Sequence, residues 1–113
     1  MDEKLESLKR CFQTAREQLE WADAQVEAIP DAYALHRRRI ELEHWIERMK
    51  DAGMEYDDYE KDLSDFYGAH PDYQECWQYH LNCQAYLDDI VREIVKMGYE
   101  WDAEKQDFVR KAA

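Results

Sequence analysis

One apolar stripe runs without a gap through the first 29 residues of the chain. Its members recur at intervals of three and four residues over more than three heptads, which is the period of one face of an α-helix. The pattern predicts a long first helix that packs through this stripe and ends at Pro30, since proline breaks a helix interior. The stripe consists of Leu5, Leu8, Phe12, Ala15, Leu19, Ala22, Val26 and Ile29.

The few glycines and prolines of the chain predict where the remaining helices begin and end. Only three Gly and two Pro occur in 113 residues, so most of the sequence between them should be helical. Asp31 predicts the N-cap of a second helix that runs to about Ala52, and the short link should make the first two helices an antiparallel hairpin. A third helix is predicted over 56–67 and a fourth over 71–97.

The segment after Gly98 has two interpretations. Alternating aromatic residues favour a small β-hairpin that turns around 103–105, whereas Asp102 could equally cap a short last helix. No repeat or linker divides the chain. We therefore predict a single mainly α domain over 1–113, a compact four-helix bundle built on the helical hairpin, with a small C-terminal hairpin or short helix.

The charge balance disfavours several functional classes. The 27 acidic and 15 basic residues give a net charge of −12, so a basic partner is expected rather than DNA, RNA or an anionic membrane. The acidic start lacks the apolar core of a signal peptide, and no apolar run approaches membrane-spanning length, which predicts a cytoplasmic protein. No P-loop, dinucleotide fingerprint or His-Glu metal motif is present, so neither an enzyme activity nor a cofactor is predicted.

The negative charge is concentrated in one segment. Six carboxylates lie within the eleven residues 55–65, interleaved with apolar residues at helical spacing, and only Lys61 offsets them. As a helix the segment carries about one net negative charge per 3 Å, close to the spacing of about 3.4 Å in a nucleic-acid strand. This density predicts a surface that competes for a cationic nucleic-acid site, although a solvated face that only keeps the protein soluble stays open. The predicted partner-binding residues are the carboxylates Glu55, Asp57, Asp58, Glu60, Asp62 and Asp65 and the tyrosines Tyr56, Tyr59, Tyr67 and Tyr73.

Two smaller polar clusters have plainer interpretations. Cys76, His80 and Cys83 share one face of the fourth helix. They either continue the apolar stripe of that helix or, together with a fourth ligand, bind zinc. Because the stripe continues without a break, the sequence favours a position in the core. Three consecutive arginines, 37–39, fan around the second helix and cannot follow one phosphate row. We expect one of them to reach the third helix and the others to pair with carboxylates of the first or second helix.

A short motif, G-Y-E-W-D-A-E-K, occupies residues 98–105. It resembles the Gly-Tyr-x-Trp-x-x-Glu-Lys endings of small phage and mobile-element proteins. With its small size and strong acidity, the chain is also similar to phage-encoded inhibitors of bacterial defence, of the anti-CRISPR and anti-restriction type, several of which occupy a nucleic-acid channel. The resemblance implies an inhibitor of a CRISPR effector or nuclease in the cytoplasm of a bacterial host. The alternative is a helical adaptor, or a homodimer that pairs through the first helix.

Overall fold

The computed structural model describes residues 2–112, which form four α-helices and a two-stranded antiparallel β-hairpin. The predicted mainly α fold with four helices is confirmed, and of the two interpretations of the C-terminal segment the hairpin is the one observed. None of the helices within residues 2–112 combines the length and the apolar character that a membrane span requires. The elements are α1 (Glu3–Glu27), α2 (Ala32–Asp51), α3 (Asp57–Ala69), α4 (Pro71–Lys96), β1 (Tyr99–Asp102) and β2 (Asp107–Arg110).

Asp31 occupies the N-cap position of α2, as predicted, but it does not cap the helix with its side chain. Its backbone is left-handed, with φ of 62°, whereas a capping side chain normally needs an extended backbone at this position. Its carbonyl oxygen instead accepts the first helical hydrogen bond, from the amide of Leu35 at 3.0 Å. At the other end, Gly53 adopts φ of 69°, the conformation that commonly ends a helix and that glycine adopts without strain.

The described residues group into two compact units, each with its own apolar core. We call residues 2–22 with 80–112 the terminal unit and residues 23–79 the central unit. The helices α1 and α4 contribute residues to both units, α2 and α3 belong to the central unit, and the hairpin belongs to the terminal unit. That the chain is a single domain stays a prediction.

The core of the terminal unit joins α1, α4 and the hairpin. Phe12 and Ala15 of α1 pack with Ile90 and Ile94 of α4 and with Phe108 of β2, and all five are buried. The apolar stripe of α1 is therefore used inside this chain, where it removes apolar surface from water. The homodimer that pairs through the first helix stays a prediction.

The core of the central unit supports α3. Val26, Leu42, Phe66 and Tyr73 are its buried members, and α2 packs directly against α3. The side chain of Tyr73 is only 1% exposed, so this tyrosine is a core residue rather than a surface residue. Half-buried side chains complete the cluster: Ile29, Leu35, Leu63, Tyr67, Cys76 and Trp77.

Candidate functional site

All six predicted carboxylates are exposed on α3 and on the link that precedes it, and we call them together the acidic surface. Glu55 lies in the link, and three others lie in the first turn of the helix. Asp62 and Asp65 follow in the later turns. This exposure is expected, because burying a carboxylate that has no partner is strongly disfavoured. The acidic surface consists of Glu55, Asp57, Asp58, Glu60, Asp62 and Asp65.

The carboxylates of the acidic surface lie close together in sequence, and the described contacts give them no partners. Within residues 2–112, none of its six members forms an ion pair or a side-chain hydrogen bond, and neither does Lys61. Some carboxylates elsewhere are paired, such as Glu93 with Lys96 at 3.3 Å and Asp107 with Lys9 at 3.2 Å. Others, such as Glu17 and Glu20, have no ion pair within the described residues either. The molecule's own cations thus leave the charge of α3 without direct neutralisation.

The helix dipole accounts for only part of this charge. Asp57, Asp58 and Glu60 lie in the first turn of α3, where the partial positive charge of the helix N-terminus stabilises them. Asp62 and Asp65 lie beyond that turn, and the last turn contains no basic residue. Like charges at this spacing repel one another across the helix surface. The helix dipole therefore stabilises the first-turn carboxylates of α3 but not Asp62 and Asp65.

A groove between α2 and α3 places these two carboxylates beside an apolar floor. Its volume is about 490 Å³. Leu35 and Phe66 supply the apolar surface, and Asp62 and Asp65 lie next to it. Arg38 also lines the groove, but its ion pair is with Glu41 at 3.2 Å. An aliphatic stem with a cationic end fits such a groove, because the stem can cover the floor while the charge meets the carboxylates. The full lining is Ala34, Leu35, Arg38, Asp62, Asp65, Phe66 and His70.

Three of the four predicted tyrosines lie at the edge of the acidic surface. Tyr59 is half-buried and stacks on Trp45 of α2, with ring centroids 6.1 Å apart and planes 14° apart. The ammonium of Lys50 lies 5.0 Å from the ring centroid of Tyr56. Tyr67 is half-buried and lines a second groove, of about 460 Å³, together with Glu60. The stacking of Tyr59 on Trp45 joins α3 to α2, and parts of all three rings stay accessible.

Tyr73, the fourth predicted tyrosine, must be reassigned from the surface to a buried polar network. The Nε of Arg39 donates a hydrogen bond of 2.8 Å to the hydroxyl of Tyr73, and its Nη1 donates one of 2.8 Å to Glu43. The hydroxyl of Tyr73 also lies 2.7 Å from Nδ1 of His36. Since arginine only donates, the hydroxyl of Tyr73 accepts from Arg39, and the tautomer of His36 decides which of the two groups donates in the second hydrogen bond. The ring of Trp77 covers the guanidinium, 3.8 Å from centroid to Cζ.

Burial shifts the proton affinities of this network. Burial raises the pKa of Tyr73, against the hydrogen bond and charge of Arg39, which lower it. Burial, and then the charge of Glu43, raise the pKa of Tyr67. For Arg39, burial lowers the pKa, but the hydrogen bonds and charges of Tyr73 and Glu43 together outweigh burial and raise it. Arg39 thus stays a cation in the interior, and both tyrosines keep their protons to higher pH than usual.

The arginine cluster was predicted only in part. The pairs of Arg38 with Glu41 and of Arg39 with Glu43 confirm that two arginines bind carboxylates of α2. Arg38 reaches α3, since it lines the groove beside Asp62 and Asp65, but none of the three arginines forms an ion pair with α3 within the described residues. The burial of Arg39, which is 7% exposed, was missed. Its signal is position: Arg39 lies between Leu35 and Leu42 at intervals of four and three on the inward face.

The cysteines belong to the interior. Cys76 packs in the core of the central unit, Cys83 is buried in α4, and the three thiols are free. Among residues 2–112, no three His, Cys, Asp or Glu side chains are grouped so that they could hold a metal ion. The zinc interpretation of Cys76, His80 and Cys83 therefore gains no support from the geometry.

The arrangement as a whole suits the binding of a cationic surface. Exposed carboxylates without internal partners stand on a helix that aromatic stacking and the Arg39 network hold in place. Comparison with known protein families, curated proteins and solved structures found no match. The chemistry of this chain's own surfaces is therefore the guide to its function.

The raised pKa values of Tyr67 and Tyr73 predict a loss of stability at alkaline pH. The unfolded chain releases these protons near pH 10, and the folded chain holds them to higher pH. The stabilisation is thus complete below about pH 10 and is lost as pH rises through the folded pKa values. Urea denaturation across this range, with tyrosinate absorbance as a second probe, measures the loss.

Two single substitutions separate this effect from general alkaline denaturation. Tyr67→Phe removes one shifted group that makes no side-chain hydrogen bond within the described residues, so the fall in unfolding free energy should become shallower. Tyr33→Phe changes a ring that is 77% exposed and should leave the full fall in place. An equal slope for Tyr67→Phe and the parent protein would show that burial of Tyr67 does not cause the effect.

Proposed function

We propose that this protein binds a cationic, nucleic-acid-binding surface of another protein through the acidic surface and thereby excludes nucleic acid from it. One observation carries the proposal: six exposed carboxylates on one short helix and its link form no ion pair within residues 2–112. A groove lined by Lys and Arg supplies the missing counter-charges. Binding removes the mutual repulsion of the carboxylates and releases ions from both surfaces.

Preorganisation of the charges on α3 supports the proposal. A nucleic-acid strand presents its phosphates on a backbone, and α3 presents its carboxylates on a helix of 13 residues, about 20 Å long. The stacking of Tyr59 on Trp45 and the burial of Phe66 fix this helix, so little order is lost on binding. Asp62 and Asp65, beside the apolar floor, are the positions where a lysine or arginine of the partner gains both charge and contact area.

Because of the resemblance to phage-encoded inhibitors, we propose that the partner is a nuclease or CRISPR effector of bacterial defence. The two proteins would then bind in the cytoplasm of the bacterial host. Such proteins hold their nucleic acid in positively charged channels. In this proposal the partner contacts Glu55, Asp57, Asp58, Glu60, Asp62 and Asp65, with the exposed edges of Tyr56, Tyr59 and Tyr67. Tyr73 supports α3 from inside and touches no partner.

Competition with nucleic acid tests the proposal. The full chain is immobilised, exposed to a bacterial lysate that contains defence nucleases, and washed with excess duplex DNA in one arm and with salt in another. A nucleic-acid-binding protein should be released in both arms, because DNA takes the same cationic site and salt screens the contact. The purified partner should then lose cleavage activity in proportion to added protein.

Two outcomes would contradict the proposal. A partner that stays bound in excess DNA and in high salt does not use its nucleic-acid site, and it would favour the helical-adaptor alternative. A partner whose cleavage activity is unchanged while the complex is saturated would show that the contact does not exclude nucleic acid.

A further inference from the structure

We infer that an apolar groove in the terminal unit binds a partner segment in which an apolar side chain stands beside a carboxylate. The groove has a volume of about 340 Å³. It involves α1, α4 and both strands, and it shares no residue with the acidic surface, so the inference does not depend on the proposed function. The groove is lined by Phe12, Arg16, Leu87, Val91, Trp101 and Phe108.

Three aromatic rings form the floor. Phe12 lies 5.2 Å from Trp101 and 4.8 Å from Phe108, and Trp101 lies 5.1 Å from Phe108, measured between ring centroids. Each ring thus contacts the other two in tilted or edge-on geometry, which is the favoured arrangement of aromatic side chains. Phe12 and Phe108 are buried, whereas Trp101 is 37% exposed. The indole is therefore the part of the cluster that a partner can cover.

A guanidinium without a counter-charge stands above this floor. The Cζ atom of Arg16 lies 5.4 Å from the ring centroids of both Phe12 and Trp101. Within residues 2–112 Arg16 forms no ion pair and no side-chain hydrogen bond. Lys9, another cation of α1, is instead paired with Asp107 of β2. The fixed fork of Arg16 donors is therefore open to a carboxylate, which arginine binds through two parallel hydrogen bonds.

The open form of the groove favours a protein segment as the occupant. Small-molecule sites bury about 70–90% of their ligand, and a surface groove with a partly exposed indole does not enclose one to that extent. A partner protein covers the groove with its own surface. Trp and Arg are also the residues that most often dominate protein interfaces. An aspartate or glutamate of the segment complements Arg16, and its apolar neighbour covers Trp101.

Selection from a random peptide library tests the inference, because the library offers every combination of apolar and charged neighbours. The full chain, Arg16→Gln and Arg10→Gln are immobilised in parallel, and the bound peptides are sequenced. Arg10 is an exposed arginine of the same helix that lies outside the groove, so its variant removes an equal charge. Peptides with an apolar residue next to Asp or Glu should be enriched by the parent and by Arg10→Gln, and about tenfold less by Arg16→Gln.

A chemical-shift titration locates the contact. A synthetic copy of the most enriched peptide should shift the indole N–H signal of Trp101, and its Glu-to-Gln counterpart should bind about tenfold more weakly. Thermal unfolding of each variant verifies that it is folded. Enrichment of basic peptides alone, or equal enrichment of the acidic class by Arg16→Gln, would overturn the inference. A shift by phenylacetate as strong as that by the peptide would also overturn it, since the occupant would then be a small carboxylate.

Discussion

Asp62→Asn combined with Asp65→Asn is expected to weaken binding to the cationic partner by about a hundredfold at low salt, the loss of two charge-assisted contacts of about 1.4 kcal/mol each. These two carboxylates line the groove with the apolar floor and lie outside the first turn of α3. Their removal relieves repulsion within the helix, so the variant should be at least as stable as the parent. Calorimetric titration at two salt concentrations measures the affinity and its salt dependence.

A matched variant separates this contact from net charge. Glu17→Gln with Glu20→Gln also removes two charges three residues apart from an exposed helical face, and both variants change the net charge from −12 to −12 + 2 = −10. If the acidic surface is the binding site, the α1 variant should keep most of the affinity and the α3 variant should also lose part of the salt dependence. Equal losses in both variants would show that overall charge, rather than α3, draws the partner.

The helices were predictable because their determinants are local. The intervals of three and four residues that defined the stripes of α1 and α4 are also the pattern of burial, since one helix face must leave water. The grouping into two units was not predictable in this way. Ala22 and Val26 follow one another in the same stripe but belong to different units, because periodicity identifies a buried face without naming the element that covers it.

The hairpin was ambiguous for a chemical reason. Asp102 accepts hydrogen bonds from the amides of Glu104 and Lys105 at 3.0 and 3.1 Å, and the same side-chain chemistry would start a helix. The left-handed position of the turn is taken by Gln106, with φ of 52°, rather than by the glycine or asparagine that usually marks a hairpin. The sequence of the turn therefore lacks the glycine or asparagine that would have identified a hairpin.

The exposed carboxylates of the candidate site were predictable from their charge, whereas the burial of Tyr73 was not, because it depends on the tertiary structure. The exposure of the acidic surface follows from the solvation of carboxylates. The burial of Tyr73 depends on the partner that its hydroxyl finds, Arg39, which is 34 residues away in sequence. Its position did hold a signal, since Tyr73 precedes Cys76 by three residues and so begins the buried stripe of α4. A hydrogen bond between two side chains so far apart in sequence can be identified only from the folded structure.

Arg39→Ala is expected to lower the free energy of unfolding by about 3 kcal/mol. Glu43 is 45% exposed, so the ion pair itself contributes little. The loss comes from the hydrogen bond to Tyr73, about 1 kcal/mol, from the guanidinium stacked on Trp77, about 1 kcal/mol, and from the buried aliphatic stem, which contributes a similar amount. Urea denaturation at neutral pH measures the difference.

The neighbouring residue supplies the control for this prediction. Arg38→Ala removes the same side chain from the same helix, but Arg38 is 49% exposed and pairs with a Glu41 that is 57% exposed, so its loss should cost about 0.5 kcal/mol or less. Arg39→Lys keeps the charge without the planar fork, and it should fall between the parent and Arg39→Ala. Because the network joins α2 to the start of α4 directly beneath α3, amide exchange in α3 should rise for Arg39→Ala and not for Arg38→Ala. Similar costs for the two alanine variants would mean that the buried network does not hold α3 in place.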